Sequence, residues 1–336
     1  MDAGLVVGVV LAVAFAVTNG FHDAANSIAA LVATRAATPL QAIVLASVFN
    51  LLGPLLLGAA VANTIGGIVE VPSAGANQVI GAGLAAAVIW NLATWSRGLP
   101  SSSAQALVGG LVGAALAEGG VNAVNWGGVH GGRPVGVIGT VVSLVISPPL
   151  GALAALLMIR TVRRLARRAT RRWGAPVRGG QWATAAVLAF SHGANDAQKA
   201  VGVIAALLLA SGRISSLAPP TWVTFVCAAA LTVGTALGGW RIIRTVGRGI
   251  YRFQRVEGLV STGASAAVIF VASLVGAPTS TSQVVTSSVV GVGGGRWRWR
   301  HVHWEVVRQA GFAWLVTLPV TAVLAVVAYE LWGWLT

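Results

Sequence analysis

Gly20-Phe21-His22-Asp23-Ala24-Ala25-Asn26 returns farther along the chain as Gly193-Ala194-Asn195-Asp196-Ala197-Gln198-Lys199. A second pair follows in the same order: Pro100-Ser101-Ser102-Ser103-Ala104-Gln105 returns as Pro278-Thr279-Ser280-Thr281-Ser282-Gln283. The spacing agrees as well, with 77 residues from Asp23 to Pro100 and 82 from Asp196 to Pro278. Self-similarity on this scale marks two structural halves. They are read as residues 1–159 and 179–336, joined by an arginine-rich linker at 160–178. Gly174 and Pro176 in that linker are expected to break helices.

The setting of these motifs is strongly apolar. Of 336 residues, 56% are hydrophobic and 9% charged, with mean hydropathy +0.81. A water-soluble domain is about a quarter charged, so this chain cannot cover its own surface in water. Apolar runs at 3–32, 40–62, 77–95, 134–159, 181–210, 220–240, 257–276 and 304–329 match or approach the roughly 20 residues that span a bilayer as helix. The expected fold is an all-α membrane protein, a polytopic helical bundle of two inverted-topology repeats with broken or re-entrant helices. No cleavable leader is expected, because the first run is too long and lacks a basic flank.

The net charge of +14 raises nucleic acid as a partner, and the distribution of that charge excludes it. The bases sit in short loops between apolar runs, where cytoplasmic loops collect them and membrane lipid headgroups are the natural contact. Cys227 stands alone, so neither an intrachain disulfide nor a cysteine metal centre can form. No metal site is expected at the loop histidines His130, His301 and His303.

Corresponding loops of the two halves differ in sign. Loop 63–76 has no basic residue, while 241–256 carries Arg241, Arg244, Arg248, Arg252 and Arg255. Segment 118–133 has one arginine, while 294–303 has Arg296, Arg298 and Arg300. Placing 33–39, 160–178, 241–256 and 294–303 inside collects 17 basic residues there and leaves two in the outer loops. By the positive-inside bias, equivalent loops lie on opposite faces, which defines an inverted repeat with a site near the midplane. Segment 77–117 is either two crossings or a re-entrant hairpin with Pro100–Ser103 at its tip. Arg97 beside the tip favours crossings, since an arginine at midplane is costly. Segment 257–293 poses the same choice.

Charged groups inside apolar spans point to the site. Asp23 and Asp196 sit deep in long runs, accompanied by His22, His192, Lys199 and the amides Asn26, Asn195 and Gln198. A structural polar pair would also explain one such acid, but not its repetition. Amides around two carboxylates suit a coupling ion or proton. The hydroxyl runs carry the other half of the chemistry. Proline sets the start of a helix, serine or threonine caps it, and free N–H groups with hydroxyls make an anion site. Ser101, Ser102, Ser103 and Gln105, with Thr279, Ser280, Thr281 and Gln283, are therefore candidate ligands of a tetrahedral oxyanion. Neutral donors can hold an oxyanion and still release it.

Asn19-Gly20-Phe21-His22-Asp23-Ala24-Ala25-Asn26-Ser27 and Phe190-Ser191-His192-Gly193-Ala194-Asn195-Asp196 resemble the paired signatures of the inorganic phosphate transporter (PiT) family. The resemblance covers nearly the whole chain. It implies a dimeric symporter of the cytoplasmic (inner) membrane, importing inorganic phosphate with protons or sodium. By it, Ser102, Ser103, Ser280 and Thr281 match phosphate-holding positions, and Asp23, Asn26 and Asp196 match positions tied to coupling ions. Two departures matter. Gln105 and Gln283 stand where many relatives have histidine, so neither relays a proton. Lys199 stands where the first half has Asn26, and a fixed ammonium there favours proton over sodium coupling. Rival readings are a sulfate permease of the same fold, an intramembrane enzyme using Asp23 and His22, and a non-transporting sensor. No cofactor is expected.

Overall fold

Long stretches of alanine, leucine and valine without interior turn signals form helix after helix. The computed structural model describes residues 3–70, 73–130, 133–165, 174–237, 254–295 and 302–335. In chain order these are α1 (Ala3–Ala33), α2 (Pro39–Leu56), α3 (Ala60–Gly66), α4 (Ser73–Ser96) and α5 (Ser103–Gly119). A short antiparallel ribbon of β1 (Gly128–His130) and β2 (Arg133–Val135) follows, then α6 (Gly136–Leu165) and α7 (Gly174–Ala210). The remainder is α8 (Thr221–Leu237), α9 (Arg255–Leu274), α10 (Thr281–Gly295) and α11 (Trp304–Leu335).

Seven of these helices are long and apolar enough to cross a membrane: α1, α2, α4, α5, α6, α9 and α11. The longest helix, α7 with 37 residues, is not among them. Its centre carries Ser191 to Lys199, and those polar groups depress its hydropathy, yet at 1.5 Å per residue it is about 55 Å long and ample to span. Large apolar side chains such as Leu315, Phe312 and Val145 point outward, as a lipid-facing surface requires.

Two expectations are corrected here. The run 40–62 is not one helix. Pro54 withholds an N–H near the end of α2, and Gly58 adopts φ +85, so the chain breaks before restarting as α3. Gly174 and Pro176 do not break a helix either. They occupy the first turn of α7, where a missing N–H costs nothing. The arginines at 241, 244, 248, 252, 296, 298 and 300, and His301, lie outside the described residues.

The packing exchanges partners between the halves. Helix α1 packs on α8, and α7 on α2, with α1 and α7 also against each other. The α4–α5 pair packs on α11, while the α9–α10 pair packs on α6. Glycine permits the closest crossings: a Cβ at Gly193 would strike the backbone of Asn50, and one at Gly20 the backbone of Leu231. These two glycines are the ones that open the repeated motifs, so the motif's first residue sets how closely neighbouring helices approach the polar residues behind it.

Candidate functional site

The two hydroxyl runs form the tips of two hairpins. Each tip turns at a glycine in the left-handed region, Gly98 (φ +66) after α4 and Gly276 (φ +74) after α9. Ser102 then caps α5, its hydroxyl accepting from Gln105 N at 3.2 Å. The tips touch: Ser282 Oγ donates to the Ser101 carbonyl at 2.9 Å. The first tip lies against the middle of α1, where Trp95 meets Phe21 with ring centroids 5.0 Å apart. Phe21 is twelve residues, or about 18 Å, from the end of α1 at Ala33. The second tip is held by α7, since Asn195 Oδ1 accepts from Thr279 N and its Nδ2 donates to the Ala277 carbonyl, both at 3.1 Å. Asn195 is fifteen residues, about 22 Å, from Ala210. Both hairpins therefore stop partway through the bundle. Arg97, beside the first tip, is exposed and folds back to donate to the Ala93 carbonyl at 3.0 Å.

All fifteen candidate residues except Gln105 are buried, Gln105 being half-buried. Asp23 and Asp196 converge on one hydroxyl, Thr281 Oγ1, which lies 3.3 Å from Asp23 Oδ2 and 3.2 Å from Asp196 Oδ2. Asn26 Nδ2 donates to Asp23 Oδ1 at 2.7 Å. The ammonium of Lys199 pairs with Asp196 Oδ1 and donates to the Thr279 carbonyl at 2.8 Å. His192 Nε2 stands 3.1 Å from Asp196 Oδ2, and Asn19 Nδ2 lies 3.5 Å from the same oxygen. His22 bridges Asp23 and the first tip. Its Nδ1 is 3.8 Å from Asp23 Oδ1, and its Nε2 lies within 3.2 Å of both Thr94 Oγ1 and Ser101 Oγ. Among the described residues, Asp23 thus meets an amide and a distant imidazole, whereas Asp196 has a fixed cation.

Asp23, His192 and Asp196 bring one ligand atom each within 4.8 Å of one another, the spacing of a metal site. The Lys199 ammonium already supplies positive charge to that cluster, on the oxygen of Asp196 that points away from Thr281. We read the cluster as charge pairing rather than as metal ligation.

The hydroxyls divide by occupation. Ser101 is engaged by His22 and Thr94, Ser102 by its own helix, Ser280 by Ser282 at 3.3 Å, and Thr281 by the carboxylates. Ser103 Oγ and Thr279 Oγ1 are buried without a partner. One stands on each hairpin, and the side-chain oxygen of Gln105, on the same helix as Ser103, is also unpartnered. Gln283 is buried on α10. Gln198 serves the fold instead. Its carbonyl accepts from Val61 N and Ala62 N, and its amide donates to Gly58 O, so it clasps the break between α2 and α3.

Asn19, Asn50, Thr94, Thr235 and Ser282 belong to this network and were not among the expected residues. Asn50 on α2 faces His192 Nδ1 at 3.0 Å and donates to Thr235 Oγ1 on α8 at 2.9 Å. Asn19 had a signal, since it stands in register with His192 in the repeat. Asn50 and Thr235 had only the general rule that a polar group in an apolar span has a partner. Two outer pockets, of about 210 and 380 Å³, flank α3 and share Asn63; the second reaches Gln198. A larger apolar groove of about 700 Å³ between α6 and α9 opens to the side and ends at Thr279.

Long apolar helices around a buried charged cluster, with two hairpin tips meeting at it, define a multi-pass helical membrane protein of the carrier type. The model of the phosphate transporter family matches twice, at residues 19–177 and 169–325, and the chain belongs to that family. It is 40% identical over 333 residues to a "probable low-affinity inorganic phosphate transporter" of Mycobacterium bovis, covering 97% of this chain and 77% of that one. A protein of the same name from Bacillus subtilis is 39% identical over 325 residues, covering 96% and 95%. Among solved structures, the sodium-dependent phosphate transporter matches with a TM-score of 0.86 and 24% identity, over 99% of this chain and all of that one, a likeness of fold. The intramembrane-enzyme alternative falls with the family assignment, since these relatives carry transporter names.

Proposed function

We propose that this chain imports inorganic phosphate across the cytoplasmic membrane in symport with protons, by alternating access between two inverted repeats. The repeats are residues 1–159 and 179–336, with the 160–178 linker inside. The double match of the family model and the exchanged packing of corresponding helices support the repeats. Phosphate is held where the hairpins meet, by the unpartnered hydroxyls of Ser103 and Thr279 and the free N–H groups that begin α5 and α10. Ser101, Ser102, Ser280 and Thr281 shape the tips around it. The solved relative is named for its dependence on sodium; in this chain the ammonium of Lys199 takes a cation's role.

The observation that carries the proton assignment is Lys199 itself. A carboxylate and a backbone carbonyl, Asp196 Oδ1 and Thr279 O, are typical oxygen ligands of a small cation, and an ammonium is bonded to both. The same ammonium sits on the backbone of the residue whose hydroxyl faces the anion, so its charge favours phosphate there. With that cation built in, the coupled ion is a proton.

Uptake of labelled phosphate by purified protein in proteoliposomes tests this. Accumulation should follow an imposed pH gradient, be indifferent to a sodium gradient and resist an equal concentration of sulfate. Accumulation driven by sodium alone would overturn proton coupling. Equal competition by sulfate would change the substrate.

A further inference from the structure

The two halves differ in charge around otherwise equivalent acids. In register, Asn19 and Asn26 flank Asp23, while His192 and Lys199 flank Asp196. The second half thus places His192 and Lys199 where the first has amides, while the first places His22 where the second has Asn195. Lys199 is held in an ion pair, and His192 offers a ring nitrogen to the same carboxylate.

The hydrogen bonds around His192 decide what it can do. Thr235 Oγ1 spends its only proton on the Leu231 carbonyl at 3.0 Å, so its oxygen must accept from Asn50 Nδ2 at 2.9 Å. That orients the Asn50 amide and leaves Oδ1 facing His192 Nδ1 at 3.0 Å. An amide oxygen only accepts, so Nδ1 carries hydrogen. In the neutral ring, Nε2 is then a bare lone pair, 3.1 Å from Asp196 Oδ2 and without a hydrogen bond. A lone pair against a carboxylate repels. A proton placed on Nε2 turns the same contact into a charge-assisted pair.

We infer that His192 Nε2 is the seat of the coupled proton, and that Asn50 and Thr235 are positioning residues that keep this nitrogen aimed at Asp196. The charged and titratable neighbours fit this role. Asp196 and Lys199 come from α7, Asp23 and His22 from α1, and Thr281 of α10 joins the two acids. From the other side, α2 presents only the amide of Asn50 to the ring, and α8 holds that amide through Thr235. With both histidines neutral, two carboxylates face one ammonium and the cluster repels an incoming anion. With His192 protonated, the charges balance and phosphate can enter beside Thr279. Coupling of this kind is reciprocal: bound phosphate raises the affinity for the proton. The inference rests on the proton-symport reading and names its residue.

The experiment compares wild type with His192→Asn, which installs the residue found at position 19, and with Asn50→Asp. Two rates of labelled inorganic phosphate are measured in proteoliposomes: accumulation driven by a pH gradient, and phosphate exchange at equal pH. His192→Asn should lower the ratio of accumulation to exchange by roughly tenfold or more and flatten the dependence of exchange on pH. Asn50→Asp puts a carboxylate on Nδ1–H and should move the pH midpoint of exchange upward by about one unit. Nitrogen NMR of histidine-labelled wild type, assigned by the signal lost in His192→Asn, should show a ring that titrates to imidazolium. If wild type ignores the pH gradient, proton symport itself fails. If wild type responds and His192→Asn keeps the same ratio, or Asn50→Asp leaves the midpoint in place, or the ring stays neutral throughout, His192 is not the seat.

Discussion

Replacing Lys199 by asparagine, the residue that the first half carries at position 26, removes the ammonium from the buried cluster. Two contacts are lost, the ion pair to Asp196 and the bond to the Thr279 carbonyl. Breaking a buried pair by deleting one partner costs about 3–5 kcal/mol. The new amide can recover part of this by donating to Asp196, as Asn26 donates to Asp23 at 2.7 Å, a bond to a charged group worth about 1.5–3 kcal/mol. The balance is a deficit of about 2 kcal/mol, or roughly 30-fold in an equilibrium. Proton-driven phosphate uptake by Lys199→Asn proteoliposomes should fall by that order at matched protein content. Added sodium should restore a measurable part, because the oxygens of Asp196 and Thr279 are then open to an external cation. Uptake equal to wild type, with or without sodium, would refute the role assigned to Lys199.

Ser103→Ala and Thr279→Ala each delete an unpartnered hydroxyl, and each should raise the KM for phosphate by the equivalent of about 1–3 kcal/mol while leaving protein abundance near wild type. An unchanged KM in the double variant would place the anion elsewhere. Gly193→Ala forces a methyl into the Asn50 backbone and should lower stability by about 1–3 kcal/mol, read as a drop in Tm of the detergent-solubilised protein. In a Cys227→Ala background, cysteine at Glu70 should react with an impermeant thiol reagent added outside intact cells, and cysteine at Glu305 only after permeabilisation; labelling of both from one side contradicts the inverted repeat.

Much of this was legible in the chain because its key residues are repeated. Asp23 and Asp196, and the hydroxyl runs after Pro100 and Pro278, are polar exceptions in apolar surroundings and occur twice in the same order. The contacts that complete the site were not legible for the opposite reason. Asn50 and Thr235 are single polar residues that meet across 185 positions of sequence, and no local pattern pairs them. Helix ends were read less well where composition does not change. The run through Pro54 and Gly58 stays apolar on both sides of its break, so hydropathy alone reads it as continuous. The depth of the tips was not legible either, since an arginine such as Arg97 can fold back onto its own helix and remain exposed, and so does not fix the depth of the turn beside it.

The exchanged packing has a consequence for how the protein is made. Helix α5 ends at Gly119, and the helix it packs on, α11, begins only at Trp304. At a synthesis rate of about 5–20 residues per second, the first hairpin leaves the ribosome roughly 10–40 s before its neighbour exists. Until then its small-residue face, with Gly109 and Gly113 destined to lie against α11, is bare within the bilayer. The α9–α10 hairpin has no such wait, because α6 is already in place when it emerges. The nascent first half is therefore the stage of biogenesis at which a membrane chaperone or a quality-control protease finds an unfilled groove to grip.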